Sequence, residues 1–245
     1  MPDIRFSHVS VYYEDSSRSL AVALSDATFF LEEGKIHALI GESGSGKSTV
    51  INVIAGRCDY EGNVWLSNRD LRKIPLGERG ISYVDQNTTL YPNFTVYENI
   101  AFPLKAKHIP YEQYDSIVKE VAAAFHITPL LTRKPSYISL GQASRVCLAR
   151  AFAKNGSLFL LDEPFAHLDE ASKEESVAIF SQVIREKKGT ALFVTHSKKE
   201  AMASADDLLV LEGGRVYGPY DKADFLSSSD SRLLTWKRAW REAEP

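Results

Sequence analysis

The stretch Leu39-Ile40-Gly41-Glu42-Ser43-Gly44-Ser45-Gly46-Lys47-Ser48-Thr49 runs from an apolar strand pattern into a helical one, in which Val50, Ile51, Val53 and Ile54 share a face before Gly56 stops it. Its spacing, G-x-x-x-x-G-K-[ST] between strand and helix, lets backbone N–H groups turn inward around phosphates. The helix start offers its unpaired N–H groups and the positive end of its dipole to the same anion. Lys47 then reaches the β and γ phosphates, and the Ser48 hydroxyl holds Mg²⁺. By composition the four fixed positions arise by chance on the order of once in a hundred chains of this length, before strand and helix are required.

Outward from this loop, apolar runs recur at 35–40, 80–84, 157–161, 191–195 and 208–211, most of them continuous and not alternating. Such runs suit strands buried on both faces of a parallel sheet. Helical patterns lie between them, among them 171–185 with Val177, Ile179, Phe180, Val183 and Ile184, so the chain reads as α/β. At 111–131, Ile117, Val118, Val121, Ala124 and Phe125 fall at helical spacing, and no buried strand separates them from the next helical pattern at 144–154. Residues from about 90 to 150 therefore read as a mainly helical subdomain inserted into the α/β core.

The run 157–161 ends in Asp162-Glu163-Pro164. Adjacent acids at the end of a buried strand lie at the carboxyl edge of the sheet, where α/β sheets bind ligands. Asp162 can join the Mg²⁺ shell, through water, and Glu163, pointing to the other side, can polarise an attacking water.

Bulk properties narrow the partners. The 245 residues are 44% hydrophobic and 25% charged, with a mean hydropathy of -0.20, a globular composition that excludes disordered, collagenous and coiled-coil classes. A net charge of -3 and a pI near 6.1 give no global attraction to nucleic acid or anionic lipid. Cys58 and Cys147 have no metal-ligand spacing and read as reduced thiols. Met1-Pro2-Asp3-Ile4-Arg5-Phe6 lacks an apolar signal core, and no apolar run approaches the roughly 18 residues that span a bilayer, so a soluble, cytoplasmic chain is expected.

Over nearly the whole chain these and further motifs resemble the nucleotide-binding subunit of ABC transporters. Gln86, after Ile81-Ser82-Tyr83-Val84-Asp85, resembles the Q-loop glutamine, which touches Mg²⁺ and the water and relays contact with membrane subunits. Ile138-Ser139-Leu140-Gly141-Gln142 resembles the LSGGQ signature, Ala166-His167-Leu168-Asp169 the D-loop, and Val194-Thr195-His196 the switch histidine that contacts the γ-phosphate. Tyr13 stands where the family stacks an aromatic on adenine.

The resemblance implies a P-loop ABC cassette with a RecA-like, mainly parallel core, N-terminal antiparallel strands and the inserted helical subdomain. One domain over 1–235 is expected, then a short C-terminal helix or tail at 236–245. Catalysis of ATP hydrolysis falls to Lys47, Gln86, Glu163 and His196, and Mg²⁺ to Ser48, Gln86 and Asp162. Nucleotide contacts are expected from Tyr13, Gly41, Ser43, Gly44, Ser45, Gly46, Lys47, Ser48 and Thr49. Ser139, Gly141, Gln142 and Asp169 would add theirs across a head-to-tail dimer.

Two positions depart from the pattern: Leu140 replaces the first signature glycine, and Ser144 the usual glutamine before Arg145. If position 140 needs positive φ or close approach to the γ-phosphate, a branched side chain costs of the order of 1 kcal/mol or more. Slow hydrolysis at that site and a heterodimer would follow; otherwise Leu140 is tolerated and a homodimer serves.

Residues 91–104 (YPNFTVYENIAFPL) and 130–135 (LLTRKP) resemble carbohydrate- and polyamine-uptake importer ATPases, in which the segment after the Q-loop borders the groove for a membrane-subunit helix. The long C-terminal regulatory domain usual in those proteins is not seen after Arg215. The aromatic stripe Leu233, Trp236 and Trp240, flanked by Lys237, Arg238 and Arg241, could suit a membrane surface or a partner, and is expected to pack back on the core. The partners implied are transmembrane permease subunits, a second nucleotide-binding subunit and an extracytoplasmic solute-binding protein, at the cytoplasmic face of the cell membrane. An ABC exporter ATPase, a soluble non-transport ABC ATPase and a catalytically silent subunit are the alternatives.

Overall fold

The computed structural model describes residues 2–14, 20–86, 89–154, 156–166 and 168–227. Asn87, Thr88, His167 and the whole stripe Leu233, Trp236 and Trp240 lie outside them, as does the expected tail at 236–245.

Two sheets carry the fold. The strands β1 (Ile4–Glu14), β2 (Leu20–Leu31), β4 (Glu61–Leu66) and β5 (Arg69–Asp70) form an antiparallel sheet in the order β2-β1-β4-β5. The larger sheet has the order β10-β9-β3-β8-β7-β6, from β3 (Ile36–Gly41), β6 (Ile81–Val84), β7 (Leu158–Asp162), β8 (Thr190–Thr195), β9 (Asp207–Glu212) and β10 (Arg215–Asp221). All its pairings are parallel except β9 with β10.

The continuous apolar runs have the expected cause. Along β3, Ile36, Ala38 and Ile40 join one core and Leu39 the other. Likewise in β7, Phe159 and Leu161 face one way and Leu158 and Leu160 the other. On one side lie the antiparallel sheet and helix α1 (Lys47–Ala55), which buries Val50, Ile51, Val53 and Ile54. Full burial of each such side chain contributes about 1.5–3 kcal/mol. The Gly56 cap, at φ 70°, ends α1 where the sequence places the stop.

The other side is covered by α2 (Val96–Ala106), α3 (Tyr114–Ala124), α4 (Leu140–Ala153), α5 (Glu170–Glu186) and α6 (Lys198–Ser204), with α7 (Lys222–Ser227) after β10. The helical pattern at 111–131 is not one helix. A 3-10 turn at Tyr111–Gln113 precedes α3, and another at Thr128–Leu130 follows it, with His126 at φ 55° between. The pattern at 144–154 begins earlier than its apolar residues suggest, because Ser139 and Gln142 form a reciprocal capping box that starts α4 at Leu140. Among the described residues no helix is long and apolar enough to cross a membrane.

Candidate active site

Strand order assembles the site. β3, β8, β7 and β6 are successive neighbours, so the chain leaves adjacent strand ends as Gly41, His196, Glu163 and Gln86 at one edge. A cleft of about 680 Å³ opens there, lined by Tyr13, Ala21, Val22, Ala23, Ser43, Gly44, Gly46, Lys47, Ser48, Thr49, Gln86, Glu163 and His196.

The loop's geometry follows from glycine. Gly46 holds φ 102°, and a Cβ there would lie 2.4 Å from the Ala23 carbonyl oxygen, so no other residue fits without moving β2. No side chain caps α1 at Gly46, which leaves its first N–H groups for an anion. The Ser45 Oγ is buried without a hydrogen-bond partner. Both features suit a phosphate. Lys47, 5% exposed, donates to the Gly41 and Glu42 carbonyls at 2.9 and 2.7 Å. Burial lowers its pKa, with Glu163 and Asp162 opposing that shift.

Of the three residues expected at Mg²⁺, Ser48 and Asp162 are in contact, and Gln86 instead reaches Glu163. Ser48 Oγ donates to Asp162 Oδ1 at 3.0 Å. Burial pushes the Asp162 carboxyl up despite that bond, so a cation beside it is favourable, and a hydroxyl with a carboxylate is the hard oxygen donor set that Mg²⁺ takes. Glu163 sits at φ 43°, a left-handed conformation costing about 1–2 kcal/mol for a non-glycine residue. Its N–H donates to the Val194 carbonyl at 3.1 Å, joining the ends of β7 and β8. Gln86 Nε2 donates to Glu163 Oε2 at 3.4 Å, and His196 Nδ1 lies 3.4 Å from the same oxygen. Tyr13, 42% exposed at the rim, donates to Thr49 Oγ1 at 3.5 Å.

Six expected nucleotide contacts are not in the cleft lining: Gly41 and Ser45 of the loop itself, and Ser139, Gly141, Gln142 and Asp169. Ser139 and Gln142 satisfy each other's backbone N–H groups. Gly141 lies against Ser172 of α5, and Asp169 caps α5 by accepting from the Ser172 N–H. Leu140 corrects the strain argument, since it is the first residue of α4, is not among the positive-φ residues, and is 65% exposed. Helical φ accommodates any side chain, so the backbone gives no reason for slow hydrolysis or a heterodimer. At the other departure from the pattern, Ser144 Oγ donates to the Pro164 carbonyl at 3.1 Å, steadying the segment after Glu163.

The sequence patterns missed the β2 wall, Ala21 to Ala23, because alternation there is weak; the glycine at 46 was the available signal for its close approach. Both cysteines are free, and burial pushes the Cys147 thiol up to about 11, which keeps it unreactive.

The ABC transporter family model matches residues 24–166. The molybdate/tungstate import ATP-binding protein WtpC of Thermococcus kodakarensis is 39% identical over 194 residues, 79% of this chain. The match spans 59% of that relative's length. Two solved structures of MJ0796 share 27% identity and cover 89% of this chain and 98% of their own. One, with TM-score 0.79, is a dimeric structure of a bacterial ABC transporter cassette. The other, with TM-score 0.78, is a dimeric post-hydrolysis state bound to ADP and Pi.

Proposed function

This chain belongs to the ABC transporter family, and we propose that it is the ATP-hydrolysing subunit of an importer, paired with a second copy of itself and with separate permease subunits. The carrying observation is the concentration of Lys47, Ser48, Gln86, Glu163 and His196 around one cleft, while Ser139, Gly141, Gln142 and Asp169 stand outside it. The loop residues share one cleft and the signature residues do not line it, which suits a nucleotide site assembled from two chains. Both MJ0796 structures are dimeric, and the relative's name assigns it to import.

In this reading the triphosphate lies in the loop 41–49 with adenine against Tyr13. Lys47 and the first N–H groups of α1 neutralise phosphate charge. Ser48, Asp162 and Gln86 would hold Mg²⁺, which supplies further neutralisation at the phosphate oxygens. The Glu163 carboxylate, steadied by Gln86, accepts a hydrogen bond from water aimed at the γ-phosphorus. As water adds, the bond to the bridging oxygen breaks and ADP and phosphate leave. His196 takes charge developing on the γ-phosphoryl group, and Ser139 of the second copy approaches from the opposite side.

For the permease contact we assign the aromatic surface around Tyr91, Phe94 and Phe102, whose rings lie 4.7 to 6.1 Å apart. Here the two importer-like segments meet: Val96 N and Tyr97 N donate to the Arg133 and Leu131 carbonyls at 2.8 and 2.9 Å. The cytoplasmic membrane face and an extracytoplasmic solute-binding protein complete the proposal. Purifying the full chain from membranes in mild detergent tests it. Co-purifying multi-span proteins in a complex that hydrolyses MgATP are expected; ribosomal or DNA-bound partners, or no MgATP turnover, would overturn it.

A further inference from the structure

One buried acid has no part in the chemistry above. Glu200, in the first turn of α6, is 5% exposed, and burial pushes its carboxyl up against the opposing pull of Thr195, Lys173 and His196. An acid in such a place needs partners. Its Oε2 accepts from Thr195 Oγ1 at 2.5 Å, and Thr195 Oγ1 accepts from the Ser197 N–H at 2.9 Å. The threonine hydroxyl therefore spends its proton on the carboxylate. Ser197 Oγ in turn accepts from the Glu200 N–H at 3.3 Å. Both neighbours of His196 are thus fastened to one residue, while the imidazole stays 61% exposed at the cleft.

The other carboxylate oxygen leads to α5. Glu200 Oε1 lies 3.7 Å from Lys173 Nζ, which also donates to Glu170 Oε1 at 3.2 Å. Both residues stand in the first turn of the helix that Asp169 caps.

We propose that Glu200 is a positioning residue: through Thr195 and Ser197 it fixes His196 over the cleft, and through Lys173 it ties that histidine to the start of α5. A phosphate arriving at His196 is then felt at Asp169, which in the proposed function meets the second cassette. The functional half of this inference rests on His196 as the phosphate contact; the bracket itself does not.

MgATP turnover of the full chain in its membrane complex is compared for Glu200→Gln, His196→Ala and the double variant. Glu200→Gln should lower kcat roughly tenfold to a hundredfold and hold KM within about a factor of two, with no further loss when added to His196→Ala. An equal fall in both backgrounds would overturn action through His196. If His196→Ala alone leaves turnover intact, the phosphate-contact reading fails, and the bracket is judged by a second measurement. In the nucleotide-free full chain, the His196 ring NMR signal, assigned by its loss in His196→Ala, should shift or split in Glu200→Gln and in the milder Thr195→Val, and return with Thr195→Ser. A ring signal unmoved by both variants overturns the bracket.

Discussion

The helices α1 and α4 both begin beside nucleotide-type motifs, and their N-termini are built in opposite ways. At α1 the first residue is a buried lysine, the capping position is Gly46, and no side chain caps the helix. At α4 the start is exposed, and Ser139 and Gln142 close each other's hydrogen bonds. An uncapped terminus keeps its donors for an incoming anion, whereas a capped one is already stable in water. In the proposed function the first is the phosphate site within one chain. In the same reading the second becomes one only when another molecule brings a phosphate to it.

The largest expected effect falls on the α1 side. Glu163→Gln should lower MgATP turnover by about 10²–10⁴-fold while nucleotide affinity persists, measured by steady-state kinetics beside equilibrium binding; undiminished turnover would remove the water-activating role. Gly46→Ala comes next, because its Cβ would meet the Ala23 carbonyl at 2.4 Å. Nucleotide affinity should drop, and stability should fall by about 1–3 kcal/mol, read by titration and denaturant unfolding.

Effects on the α4 side should be smaller and should separate binding from turnover. Ser139→Ala should cost about 1 kcal/mol through loss of the cap and should slow hydrolysis, while affinity of the isolated chain for nucleotide stays unchanged. A matching drop in affinity would mean that both helix starts serve one cleft. Smallest of all, Leu140→Gly should destabilise by no more than about 1 kcal/mol and leave the hydrolysis rate unraised. A clear acceleration would show that the side chain, though free of backbone strain, obstructs the phosphate.

Legibility in the sequence followed the same divide. The α1 side could be read residue by residue: Gly46, Lys47 and the stop at Gly56 are local signals, and the continuous apolar runs of β3, β7 and β8 announced strands buried on two faces. Partners distant in sequence were not legible. Ser48 meets Asp162 across 114 residues, and only strand order brings them together. Apolar periodicity alone placed α4 a turn too late, because its cap residues are polar, while the resemblance of Ser139 to the signature serine marked its start. Glu200 gave no signal beyond helical spacing, since its meaning comes from Thr195 below it and Lys173 on a neighbouring helix.

The claim that two chains share each nucleotide is tested most directly by mixing variants. Full chains carrying Lys47→Ala and Ser139→Ala, each slower than the unmodified chain when alone, are combined and assayed for MgATP turnover. The account predicts recovery, because mixed pairs hold one site with an intact loop from one chain and an intact Ser139 from its partner. A mixture no more active than the separate variants, with the unmodified chain active under the same conditions, would contradict it.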